Sequence, residues 1–145
     1  ISRRSISDNG HHSGGCMTAL EDYPPVVQEL ARCKEWIEGA LQYSGGTHTF
    51  EDVFHGVLEG RFQLWPNDEA CAVTEIVVYP RRKVLHVFLA GGNMDKIVDM
   101  QKSAEEWGKS QGCTAMTIAG RKGWSRVLAD HGYREQFVTL AKELT

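Results

Sequence analysis

Hydrophobic positions along this chain follow two periods, one helical and one alternating. Val26, Val27, Leu30, Ile37, Ala40 and Leu41 recur at helical spacing behind Asp22, Pro24 and Pro25, and Gly45 and Gly46 end that segment. A second helix is predicted from Thr49, where Thr49 and Asp52 have the spacing of a capping box. Val53, Phe54, Val57 and Leu58 supply its apolar face, and Gly60 closes it. The pattern then turns strand-like over residues 61–65, 70–79 and 83–90. Turns are predicted at Pro66, Asn67 and Asp68 and again at Pro80, Arg81 and Arg82, the latter making an antiparallel pair. Gly91 and Gly92 read as breaking the third strand, with Asn93 capping a helix over 94–108. A buried strand over 113–119 ends at Gly120, a helix covers 123–130, and a long last strand is expected over 133–144.

Strands alternating with helices in this order predict one α/β (α+β) domain, a mixed and mostly antiparallel sheet flanked by helices. The domain is expected over residues 17–145. Residues 1–16, rich in Ser, Gly, Arg and His, read as a tail or extension with too little apolar surface to offset ordering entropy. A chain of 145 residues suits one core, and 41% hydrophobic with 24% charged residues is ordinary for a soluble domain. No apolar run reaches membrane-helix length, so no membrane partner is expected. A net charge of −3 gives no global pull towards nucleic acid. Cys16, Cys33, Cys71 and Cys113 are scattered without a Cys-x-x-Cys pair, which points to reduced thiols and a reducing compartment.

Candidate chemistry is sparse. His86 alternates with Val84 and Phe88; it could take a proton from an amine, or serve simply as a sheet histidine with one hydrogen bond. Glu75, between Val73 and Val77, could act as a base if desolvated, or pair with an arginine across the sheet. Arg121 and Lys122 open the last helix, where cations oppose the helix dipole; with Arg126 they suit an anionic partner or a solvated basic end. Trp124, between Gly123 and Ser125, is a candidate interface anchor, as are Trp65 and Trp107, although Trp36 and Trp107 sit near helical apolar stripes. His11, His12 and Cys16 lack a second ligand pair for a metal site, so none is expected. Asp130 and His131 lack an accompanying nucleophile.

Leu89, Ala90, Gly91, Gly92 and Asn93 at the strand-to-helix joint, and Gly132-Tyr133 after the closing helix, resemble the Gcn5-related N-acetyltransferase (GNAT) fold over about residues 17–144. More narrowly, Gln63-Leu64-Trp65, Thr74-Glu75-Ile76, Leu89 to Gly92 and Gly120-Arg121-Lys122-Gly123-Trp124 resemble GNAT-like proteins of tailed bacteriophages, including a small internal virion protein. That resemblance implies acetyl-CoA as cofactor if the protein is catalytic, with Leu89, Ala90, Gly91, Gly92 and Asn93 at the carrier and Glu75 or His86 as base. The departures are specific. The joint is short and has no arginine, Asp95 follows it, and Leu128 stands where the family often has a tyrosine acid. The expectation is therefore a degenerate coenzyme site with no cofactor. The protein would bind a virion or host protein and reside in the virion or host cytoplasm, with a homo-oligomer possible. The alternative is an acetyl-CoA-dependent N-acyltransferase. Nucleic-acid binding through Arg121, Lys122 and Arg126 is the weakest reading.

Overall fold

A computed structural model describes residues 22–120 and 123–145. The first helical stretch is bent into α1 (Pro25–Arg32) and α2 (Lys34–Leu41). Cys33, at φ −89° and ψ 1°, makes the bend. Hydrogen bonds from Cys33 N to Glu29 O and from Ile37 N to Cys33 O carry the ladder through it, so Val27, Leu30, Cys33 and Ile37 all stay buried. Helix α3 (Phe50–Leu58) opens with the expected capping box. Thr49 Oγ1 accepts from Asp52 N at 3.2 Å, and Asp52 Oδ2 accepts from Thr49 N at 2.9 Å.

Strands β1 (Phe62–Pro66), β2 (Ala70–Val78) and β3 (Lys83–Gly92) form an antiparallel meander. Helix α4 (Met94–Ser110) crosses over to β4 (Ala115–Ile118), which pairs parallel with β3. The four-stranded sheet has the order β1-β2-β3-β4. Helix α5 (Gly123–Leu128) and a short 3-10 turn (Ala129–His131) follow. The architecture is the predicted one, a mixed and mostly antiparallel sheet with helices on its faces.

One face of the sheet packs on α1, α2 and α3. Leu30, Cys33, Ile37, Val53, Phe62, Cys71, Val73 and Leu89 form its core. Burying each large aliphatic side chain contributes about 1.5–3 kcal/mol. The other face, with Trp65, Ala72, Thr74, Val87, Met116 and Ile118, meets Ile97 and Ala104 of α4 and Leu128 of α5 around a cavity of about 30 Å³. Thr74 is buried but satisfied: its Oγ1 donates to Gln63 Oε1 at 2.8 Å and accepts from Trp65 Nε1 at 2.9 Å.

A bulge separates the two faces' claims on β3. Val73 pairs with Leu89 and Thr74 with Val87, which leaves Phe88 as the extra residue. Phe88 packs on Phe62, ring centroids 4.9 Å apart.

Three sequence expectations need correction. Gly91 and Gly92 do not break the third strand: they pair with Cys71 and Ala70 as its last residues. Their glycines serve close approach. A Cβ on Gly91 would lie 2.7 Å from Trp36 O, and one on Gly92 would lie 2.4 Å from Glu69 O. The strand expected from residue 113 begins at Ala115. The long last strand over 133–144 does not form; residues 134–145 are exposed and carry no strand pairing. Alternation marks a segment suited to a sheet, but a strand exists only where another edge meets it.

Candidate functional site

Adjacent strands bring Glu75, His86 and Thr117 into one row. Glu75 of β2 registers with His86 of β3, and His86 registers with Thr117 of β4. Leu85 and Val87 face α4, so alternation turns His86 to the face of α1–α3. His86 Nδ1 and Thr117 Oγ1 are hydrogen-bonded at 2.7 Å. Burial pushes the His86 pKa below the usual imidazole value, and the Glu75 charge partly pulls it back. A neutral imidazole beside a carboxylate can accept a proton, so the row has the elements of a general base. Glu75 thus lies opposite a histidine. The arginine partner open to it in the sequence is not formed among the described residues, whose ion pairs join Arg32 to Glu29 and Arg61 to Glu59.

The lowered His86 pKa has a signed consequence. Between the folded value and about 6.5, the unfolded chain holds a proton that the folded chain does not. This residue's contribution is complete above about pH 6.5 and is lost as the pH falls towards the folded value. Thermal melts should therefore show stability falling through this window, and His86→Gln should flatten that part of the profile. An unchanged slope in the variant would remove His86 as its source.

The joint between β3 and α4 is built for packing. Leu89 is buried in the α1–α3 core, and Ala90 is half-buried. Asn93 N donates to Glu69 O at 2.9 Å. The Asn93 side chain caps α4, its Oδ1 accepting from Asp95 N at 2.9 Å and Lys96 N at 3.4 Å. Ile97 N closes the first helical turn on Asn93 O at 3.1 Å. Amides that would receive an anion are thus engaged by the chain itself, and Asp95 adds a negative charge beside them. The Asp95 and Lys96 amides are held by Asn93, and the joint carries no arginine beside them. Beside the joint, β3 and β4 pair only from Val84 with Ala115 to Val87 with Ile118, followed by Ala119 N to Val87 O at 3.1 Å. Strand β3 continues to Gly92 beyond that point, and its β4 side has no strand partner there among the described residues.

The remaining candidates lie elsewhere. Arg121 and Lys122 fall outside the described residues, as do His11, His12 and Cys16. Trp124 lies over Gly120, whose Cβ would sit 2.7 Å from Trp124 Cδ1, and helps line the cavity on the α4–α5 face. That is the face opposite His86. Arg126 is exposed on α5. Trp65 and Trp107 meet edge to face at 5.9 Å. Cys33, Cys71 and Cys113 are free thiols. Among the described residues no group of three or more His, Cys, Asp or Glu could hold a metal, and no helix is long and apolar enough to cross a membrane.

Thr117 was not singled out in the sequence, and Tyr133 only as the step after the closing helix. Thr117 engages His86, and only its alternation with Ala115 hinted at that face. Tyr133 donates to Met116 Sδ at 3.7 Å, and burial with the Glu105 charge pushes its pKa up to about 12. It lines a groove of about 270 Å³ at the start of β4, with Glu105, Lys109, Thr114, Met116 and His131.

No protein-family model and no curated protein sequence matches the chain. Solved structures do match its shape. An acetyltransferase from Trypanosoma brucei superposes with a TM-score of 0.58 at 11% identity, covering 80% of this chain and 93% of that one. An aminoglycoside acetyltransferase from an uncultured soil metagenomic sample, in complex with sisomicin, gives 0.57 at 8% identity, covering 81% and 91%. A GNAT family acetyltransferase from Staphylococcus aureus gives 0.52 at 10% identity, covering 80% and 92%. The chain has a GNAT-like fold. At these identities the likeness is one of architecture, and the activity has to be argued from the site.

Proposed function

We propose that this protein acts by binding, on a GNAT-like scaffold whose coenzyme site is degenerate. The proposed setting is a tailed bacteriophage, as a virion-associated or assembly protein or as a modulator of a host component. The expected partner is therefore a protein, in the virion or the host cytoplasm. One observation carries the reading: the α4 amides that would grip a diphosphate are held by Asn93, with Asp95 alongside and no arginine in the joint. The phage setting is supported only by the short sequence resemblances around Trp65, Glu75, Gly91 and Trp124.

A second reading is favoured by the Glu75–His86–Thr117 row and by the unpaired reach of β3 beyond Val87. In it the protein is an acetyl-CoA-dependent N-acyltransferase. His86 or Glu75 would take the proton from an attacking amine, and Thr117 would hold the imidazole in place.

Titration with acetyl-CoA separates the two. The binding reading expects no change in thermal stability at millimolar ligand. A ligand at a hundred times its dissociation constant adds roughly 2.7 kcal/mol, so a saturable upward shift would replace this reading with the enzymatic one. Recovery of the protein in purified phage particles is the companion measurement, and its absence there would exclude packaging.

A further inference from the structure

Residues 134–145 form an arm that the body of the molecule does not hold. Phe137 is 79% exposed, Val138 76%, Leu140 91% and Leu144 90%. Among the described residues, no hydrogen bond, ion pair or ring contact joins any of these to the rest of the chain. Apolar side chains and backbone groups exposed together in this way mark a segment that pairs with something. The pattern says what kind of surface it suits. Phe137, Thr139 and Ala141 alternate with Val138, Leu140 and Lys142, so both faces of an extended arm are largely apolar, and residues 136–141 carry no charge. A strand apolar on both faces belongs inside a sheet covered on both sides.

This molecule has such a sheet with an open edge. Among the described residues, strand β4 is hydrogen-bonded to β3 on one side only and ends the strand order. The groove of about 270 Å³ runs beside its start, lined by Thr114, Ala115 and Met116 on one side and by Gln101, Glu105 and Lys109 of α4 on the other. Arm and edge are thus complementary and are both unfilled in the same chain. The arm's root is fixed: Tyr133 N bonds to Leu128 O at 3.3 Å, and its hydroxyl stays on Met116. Beyond that anchor the chain departs from its own edge.

We propose that two copies exchange these arms, residues 134–145 of each lying along β4 of the other. The exchange is reciprocal under a two-fold axis, so one self-complementary contact closes the assembly and leaves no further open edge at β4. Each copy contributes an arm and the edge and groove that receive its partner's arm, which approaches the roughly 20–30 residues a side of a standard interface. The proposal is independent of whether the protein binds acetyl-CoA.

Light scattering on the full chain at tens of micromolar should give twice the 16.2 kDa of one copy. Hydrogen exchange should be slowed at least tenfold in both the arm and β4. Removing residues 134–145 should yield a monomer with faster exchange in β4. Val138→Pro, which blocks the ladder without touching the body, should do the same if the truncated chain fails to fold. A monomeric full chain overturns the proposal, whether its arm amides are protected (the arm docks on its own edge) or not (the arm is free). A dimer that survives Val138→Pro, or one in which the arm is protected and β4 is not, overturns it as well.

Discussion

Gly92→Ala should destabilise the protein by about 3 kcal/mol. Two costs add at this position. Gly92 has φ 103°, where an L side chain costs roughly 1–2 kcal/mol. Its new Cβ would also lie 2.4 Å from Glu69 O and 2.6 Å from Ala70 Cα, backbone atoms of the paired strand that cannot swing aside. Overpacking of this kind costs about 1–3 kcal/mol. Gly60→Ala is the matched control, since Gly60 has φ 84° and nothing within 4 Å of the added carbon. Urea midpoints compared at equal slope separate the two costs. If the two variants lose the same stability, the close approach of β3 to β2 contributes nothing. The result bears on function too. The sequence reading gave Gly92 to a carrier site, and a variant that fails by unfolding rather than by weakened ligand binding would give it to the sheet.

Leu85→Ala should cost about 2–5 kcal/mol, the range for an aliphatic side chain deleted from a core that relaxes only in part. Leu85 is fully buried at the centre of β3. Its partner on α4 allows a sharper experiment. Gly108 is buried there, and a Cβ on it would sit 3.2 Å from Leu85 Cδ2. Gly108→Ala alone should come out near neutral, with a helix-propensity gain of roughly 1 kcal/mol set against crowding of a side chain that can give way. In the Leu85→Ala background the same methyl enters vacated space. The double variant should then be more stable than the sum of the single changes by roughly 1 kcal/mol, within the range for residues in contact. Strict additivity would mean that α4 and β3 do not meet at this point.

The parts of the fold legible in the sequence were those governed by local chemistry. Thr49 and Asp52 announced their capping box, Asn93 its cap, and Arg82 its turn, because each depends on neighbours a few residues away. Gly91 and Gly92 misled for the opposite reason. Glycine is compatible both with a strand end and with a backbone pressed against Trp36 and Glu69, and only the tertiary contact tells the two apart. Residues 133–144 misled because alternation records suitability for a sheet, while pairing also requires an edge. For the site, Glu75 and His86 were visible as polar residues on apolar strands. That they are register partners, and that Thr117 completes the row, depends on strand order and on the parallel return of β4.

The extra residue at Phe88 puts the two ends of β3 out of phase. Before it, Leu85 and Val87 answer to α4; after it, Leu89 answers to the opposite layer of helices. Were Phe88 paired in an unbroken ladder, Leu89 would face α4 instead. A single unpaired residue thus lets one strand supply the core on both sides of the sheet.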